Sequence, residues 1–152
     1  MYKRVFVIAV LLSMFAGCAS VPTEDKETED LAKKFNPPSE GKSGLYIYRH
    51  GNFGGALKKD VWVDGECVGE TAPNIFFYHE VAGDEEHKIS TESEFSPNDL
   101  VIKTTSGENH FVKQYIKMGA FVGGAGLEEE DAVEGKEVVS KLKMAKKGSC
   151  SK

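Results

Sequence analysis

Apolar and polar residues alternate in short runs through the middle of the chain, and turn residues separate the runs. "GLYIYRH" (44–50), "DVWVDGECVGE" (60–70), "NIFFYHEV" (74–81), "HKISTES" (87–93), "DLVIKTT" (99–105) and "HFVKQYIKM" (110–118) are rich in β-branched and aromatic residues. That composition suits a pleated, half-buried surface. Asp64-Gly65 between two such runs predicts a tight hairpin. "AGDEE" and "SGEN" predict two more, over 74–93 and 99–118, with Pro97-Asn98 breaking the chain between them. Strands recurring roughly every 8–12 residues with turn chemistry between them favour an all-β sandwich. A parallel α/β sheet would need long crossover helices, for which there is no room. Only "EGKEVVSKLKMAKK" (134–147) has helical spacing: Val138, Leu142 and Ala145 fall at i, i+4 and i+7. A short helix covering a sheet edge or face is expected there, with a final β-strand as the alternative.

The first residues depart from this pattern. Lys3 and Arg4 precede an apolar run of 11 residues (5–15), and Ala16-Gly17 lead into Cys18. A basic start, a short apolar middle and small residues describe a secretory signal. The run is too short to span a bilayer, which takes about 20 apolar residues. "MFAGC" resembles a bacterial lipobox. The resemblance implies that the Cys18 thiol receives a diacylglyceryl group, that the chain is cut before Cys18, and that the new amine is acylated. A signal peptide would then cover 1–17, with a plain cleavable signal and a free Cys18 as the alternative. Ala19-Ser20 stand where an inner-membrane protein tends to have Asp, so the implied address is the outer membrane, lipid-anchored, on its periplasmic face. Residues 18–43 mix charges with three prolines and few large apolar residues. They read as a disordered tether. As a flexible coil it would span roughly 25–30 Å. The folded domain is expected over 44–148.

Charge narrows the partners. The chain has 19 Lys and Arg against 24 Asp and Glu, a net −5, and losing Lys3 and Arg4 with the leader makes it −7. Such a domain lacks the basic face that a nucleic-acid binder needs. Cys67 and Cys150 remain beside Cys18. Export to an oxidising compartment lets them pair, and the alternative is one half-buried thiol and one at a frayed terminus.

Candidate chemistry is sparse. In a hairpin turning at Gly83-Asp84, Glu80 faces His87 and His79 faces Lys88, so the two imidazoles point to opposite faces, and a one-residue shift in register would bring them to the same face. No HExxH, Cys-x-x-Cys or His-x-His occurs, and no metal site or cofactor is expected. His87 reads as a turn-flanking residue bonded to backbone. No Gly-x-Ser-x-Gly elbow is present. Cys67 follows Asp64-Gly65-Glu66, acids that raise rather than lower a thiol pKa. "LEEED" (127–131) reads as a solvated acidic face. Two glycine-rich stretches, "GNFGGAL" (51–57) and "MGAFVGGAGL" (118–127), match no phosphate-binding loop. They read as loops presenting Phe53 and Phe121 to a partner, or else as tight bulges with the rings folded inward. Arg49 reads as a bridge within the domain or a backbone contact, and Trp62 as a core anchor.

"VWVDGECVGETAP" followed by "AGDEEHKI" resembles a PEGA-type module. Together, "LYIYRHGNFGGALKKDVWVDGECVGE", "GENHFVKQYIKMGAFVGG" and the lipobox resemble the bacterial lipoprotein family known as domain of unknown function 2846, over about 44–137. The resemblance implies a lipid-anchored, immunoglobulin/prealbumin-like antiparallel β-sandwich with a short C-terminal helix, and it brings no established activity. The expected function is a non-enzymatic interaction or assembly module of the envelope, with an envelope protein as partner. The alternative is a periplasmic small-ligand or glycan-binding module, with Tyr46, Tyr48, Trp62 or Phe121 as its platform.

Overall fold

The computed structural model describes residues 17–93 and 98–151. The leader expected over 1–17 lies outside the described residues except for Gly17, and so does Pro97. The strands are β1 (Lys42–Arg49), β2 (Lys59–Val63), β3 (Glu66–Thr71), β4 (Ile75–Ala82), β5 (Glu86–Thr91), β6 (Asn98–Lys103), β7 (Asn109–Lys117), β8 (Gly124–Glu130) and the short β9 (Lys143–Met144). Helix α1 (Lys26–Ala32) precedes them, and α2 (Ala132–Val139) lies between β8 and β9. One sheet runs β8-β7-β1-β4-β9 and the other β3-β2-β5-β6. This is an all-β sandwich with mixed pairing: β1 lies antiparallel to β4 but parallel to β7, and β9 is parallel to β4.

Side-chain parity explains the layers. Leu45 and Ile47 of β1 point into the sandwich with Val61, Val68, Phe77, Ile89 and Val112. Tyr46 and Tyr48 point to the other face, where Phe76, Phe111, Val139, Leu142 and Met144 bury them. The larger sheet is therefore covered on both sides, which is why β1 is buried from Ser43 to Arg49. Strands covered on two faces lose the simple alternation of a half-exposed sheet. Gly135 lets α2 lie directly on this outer face, since a Cβ there would come 2.3 Å from the Phe111 ring.

The Asp64-Gly65 turn joins β2 to β3 as a hairpin, with Val63 opposite Glu66. Both turn residues have positive φ, 51° and 82°, the geometry of a two-residue turn that follows strand twist. The other two expected hairpins do not form. β4 and β5 belong to different sheets, as do β6 and β7. β4 carries Ile75, Phe76 and Phe77 on both of its faces and needs the doubly covered sheet. β5 alternates exposed Glu86 and Lys88 with buried His87 and Ile89, which suits the sheet with one wet face. His79 thus sits opposite Leu45, and His87 opposite Ile102.

Three more segments differ from expectation. The disordered tether expected over 18–43 is ordered and docked. Asp25 caps α1 by accepting from the Thr28 N–H at 2.9 Å, and buried Glu29 accepts from the Met144 N–H at 3.0 Å and Lys33 Nζ at 2.8 Å. The Tyr46 hydroxyl donates to the Ala32 carbonyl at 2.8 Å, and Phe35 packs on Tyr46 and Phe111. The segment has little apolar bulk, so polar bonds to distant backbone hold it together with the few apolar side chains it docks, Val21, Ala32 and Phe35. Second, the glycine-rich stretch 118–127 is loop only to Gly123, and from Gly124 it pairs with β7 as β8. Its acids are cross-strand partners, with Lys113 bonded to Glu128 at 2.9 Å and to Glu130 at 3.4 Å. Third, the C-terminal helix starts earlier and is shorter than 134–147, and β9 follows it.

The tail then crosses from one sheet to the other. Ala145 N–H donates to Phe76 O in the first sheet, and Gly148 N–H to Val68 O in the second. Cys150 is joined to Cys67 of β3, with Cα atoms 6.0 Å apart. Ser151 donates its N–H and hydroxyl to the buried Asp60 carboxylate of β2 at 2.8–3.0 Å. The folded domain therefore runs past the expected boundary at 148.

Candidate functional site

Cys18 and the two glycine-rich loops meet at one end of the sandwich. Arg49, the last residue of β1, builds the first loop (50–58) from inside. Its guanidinium is 1% exposed and donates to the carbonyls of Leu57 at 2.6 Å, Gly54 at 2.7 Å and Phe53 at 3.5 Å. Burial lowers its pKa from the ordinary 12.5, yet a guanidinium stays charged and its planar fork suits several acceptors at once. Asn74, held at φ +59°, accepts from the Gly51 N–H at 2.9 Å and donates to Asn52 Oδ1 at 3.1 Å. R49K is expected to leave at least one of these carbonyls unsatisfied and to cost roughly 2 kcal/mol. Urea unfolding measures that loss, and faster amide exchange confined to 50–58 assigns it to the loop.

The second loop (118–123) locks onto the first. A Cβ on Gly54 would lie 2.8 Å from Ile116 Cγ2, and one on Gly123 would lie 2.6 Å from Leu57 Cδ1. At Gly54, with φ +66° and three Ile116 atoms this close, only glycine permits the approach. Leu57 and Ile116 line the seam, and larger apolar side chains are pushed outward: Phe53 is 63% exposed, Met118 85%, Phe121 89% and Val122 57%. A shallow depression of about 270 Å³ lies among them. The Ala19 N–H donates to the Gly55 carbonyl at 2.7 Å, which places exposed Cys18 beside the patch.

The other candidate residues lie elsewhere. Tyr46 and Tyr48 are buried and Trp62 is half-buried, so of the four rings considered for a ligand platform only Phe121 is well exposed. A second apolar groove of about 280 Å³ lies between α1 and the sheet, bordered by Leu31, Ala32, Pro37, Tyr78 and Met144. Glu130, Asp131 and Glu134 bring carboxylate oxygens within 4.8 Å of one another. Asp131 there already caps α2, and Glu130 already pairs with Lys113.

The histidines are dispersed. His79 accepts from Lys147 Nζ at 2.9 Å, and His110 contacts Glu129 at 3.3 Å. His87 is buried, with Nδ1 2.6 Å from Asp64 Oδ2 and Nε2 2.8 Å from the Ala82 carbonyl. Two acceptors facing two ring nitrogens favour the protonated ring. Burial opposes the charge, but Asp64 and Ala82 outweigh it and raise the His87 pKa above 6.5. Burial likewise opposes the Asp64 carboxylate, but bonds from His87 and the Lys88 N–H lower its pKa below 3.8. The His87 contribution is full below pH 6.5 and is lost as pH rises through the raised value. The Asp64 contribution is present above pH 3.8 and is lost as pH falls through the lowered value. The stability gap between the parent and H87Q should therefore be widest near pH 5.5 and narrow by about pH 9. Chemical denaturation at the two pH values reads it, and a gap that does not change with pH would contradict a charged His87.

The sequence singled out Cys18, Phe53 and Phe121 but not what holds them. Arg49 ending an apolar strand directly before a glycine-rich loop was the available signal. Asn74 had none, since its partners are more than 20 positions away.

Two interlocked glycine loops, the first held from inside by a buried arginine, on a two-sheet sandwich define the class: an all-β domain with one apolar end. Residues 39–125 match the family described as Protein of unknown function (DUF2846), and the chain belongs to that family. It is also 51% identical over 145 residues to an uncharacterized protein of Haemophilus influenzae, covering 95% of this chain and 85% of that one. No solved structure matches significantly. Among the described residues, no helix is long and apolar enough to cross a membrane.

Proposed function

We propose that this chain is a lipid-anchored, non-enzymatic interaction or assembly module of the bacterial envelope, held at the periplasmic face of the outer membrane through acyl chains on Cys18. The observation that carries the reading is the placement of Cys18. It is exposed, follows a signal-like leader, and lies against the end of the sandwich where Phe53 and Phe121 face outward. The polar clusters inside the domain serve its architecture. Arg49 holds a loop, and His87 ties β5 to the Asp64 turn. Gln114 of β7 bonds Thr71 and Thr91 of the opposite sheet. Ala19-Ser20 after the cysteine supports the outer-membrane address. The ligand-binding alternative is the weaker one, since Tyr46 and Tyr48 are buried.

Mass spectrometry of the N-terminal peptide of protein taken from membranes tests the anchor. The expected species starts at Cys18 and carries a diacylglyceryl group on sulfur and an acyl group on nitrogen. An unmodified Cys18, or a chain retaining Lys3 and Arg4, would overturn it.

A further inference from the structure

The apolar end and the lipidation position are one surface. Phe53, Met118, Phe121 and Val122 are the most exposed apolar side chains of the two loops. The Ala19 N–H to Gly55 carbonyl bond fixes the chain one residue after Cys18, and consecutive Cα atoms are only about 3.8 Å apart. Cys18 Sγ lies 3.5 Å from where a Cβ on Gly55 would stand. A coil long enough to hold the domain off a membrane is therefore missing. Acyl chains on that sulfur begin at the rim of the patch.

Charge points the same way. The chain as a whole is acidic, at −5, yet residues 50–59 and 113–127 contain no Asp or Glu. Lys58 and Lys117 are exposed there. Glu92, at the margin, faces Lys59 across 3.7 Å. An apolar cluster flanked by lysines, on loops that carry no acid of their own, is the chemistry of a surface that meets anionic lipid.

We propose that the interlocked loops 50–58 and 118–123 are the membrane-facing footprint of the domain. Phe53, Met118, Phe121 and Val122 sit at the headgroup–acyl boundary beside the lipid on Cys18, and Lys58 and Lys117 meet anionic headgroups. The footprint rests on the anchoring reading and adds an orientation to it. The sandwich stands end-on, with β1 and β7 running toward the bilayer. The turns at 83–85 and 104–108 and the start of α2 then point away into the aqueous phase.

The test uses full-length lipidated protein in vesicles of phosphatidylethanolamine and phosphatidylglycerol with brominated acyl chains. F121W is compared with V133W, at an exposed position on α2, and Trp62 supplies the same background in both. Strong bromine quenching of the F121W indole and little of the V133W indole is the expected result. Equal quenching of the two, with the lipid on Cys18 verified by mass in the same sample, overturns the footprint and leaves the anchor standing. So does crosslinking of the loops to a second copy or to a protein partner without quenching. If Cys18 proves unmodified, the anchoring reading falls and the footprint is judged by flotation of the same protein with the same vesicles. Flotation that F53S/F121S weakens by roughly tenfold or more, the scale of removing buried phenyl rings, supports the footprint. No flotation overturns it.

Discussion

Replacing Cys18 by serine, behind a plain cleavable leader whose removal does not need the cysteine, is expected to move the protein from the membrane fraction to the soluble fraction without unfolding it. Each acyl CH₂ buried in a bilayer contributes about 0.8 kcal/mol, and a single myristoyl chain holds only marginally. A second chain with about a dozen CH₂ groups adds roughly 10 kcal/mol, which turns reversible contact into permanent residence. C18S forfeits all of this. The Cys18 side chain is exposed and free, so the sandwich should keep its Tm. Cell fractionation followed by immunoblotting measures the redistribution, and the circular dichroism melt of the released protein checks the fold. A C18S variant that stays with membranes as fully as the parent would sink the anchor. Slight residual binding to anionic vesicles is a different result, and it is the one the apolar end predicts.

The second large effect is on stability. C67S/C150S is expected to lower the Tm by roughly 10–15 °C, the scale for losing about 4 kcal/mol in a domain of this size. The bond closes a loop over a sequence separation of 83 residues, and long loops gain most from closure in the chain-entropy account. It also secures the strap that joins the two sheets. With the tail loose, the buried Asp60 carboxylate loses the Ser151 N–H and hydroxyl, and giving up donors to a buried carboxylate is costly. Thermal melts with and without reductant test this. Reductant should lower the parent to the level of the variant and leave the variant unchanged. A Tm drop of only a degree or two would mean that the tail adds little to the fold.

Phe53 and Phe121 show how far local sequence reaches toward a site. Glycine-rich stretches with one aromatic each mark loops, and both rings are indeed exposed. That the two loops interlock, and that Cys18 lies beside them, follows from contacts between residues tens of positions apart, such as Gly54 with Ile116 and Gly123 with Leu57. Arg49 is a similar case. Its position before Gly51 was visible, but its three carbonyl partners are set by the path of the loop.

The strand runs, the Asp64-Gly65 hairpin and the sandwich class were determined by the sequence itself, because alternation and turn chemistry act over a few residues. The partner of each strand was decided only by the tertiary structure. "NIFFYHEV" and "HKISTES" are adjacent runs, yet one needs cover on two faces and the other on one, so they part into different sheets. The same distinction decided the fate of residues 18–43. Their own apolar content is too small to order them, and they fold because Glu29 and the Ala32 carbonyl find Met144 and Tyr46 on a surface assembled from the rest of the chain.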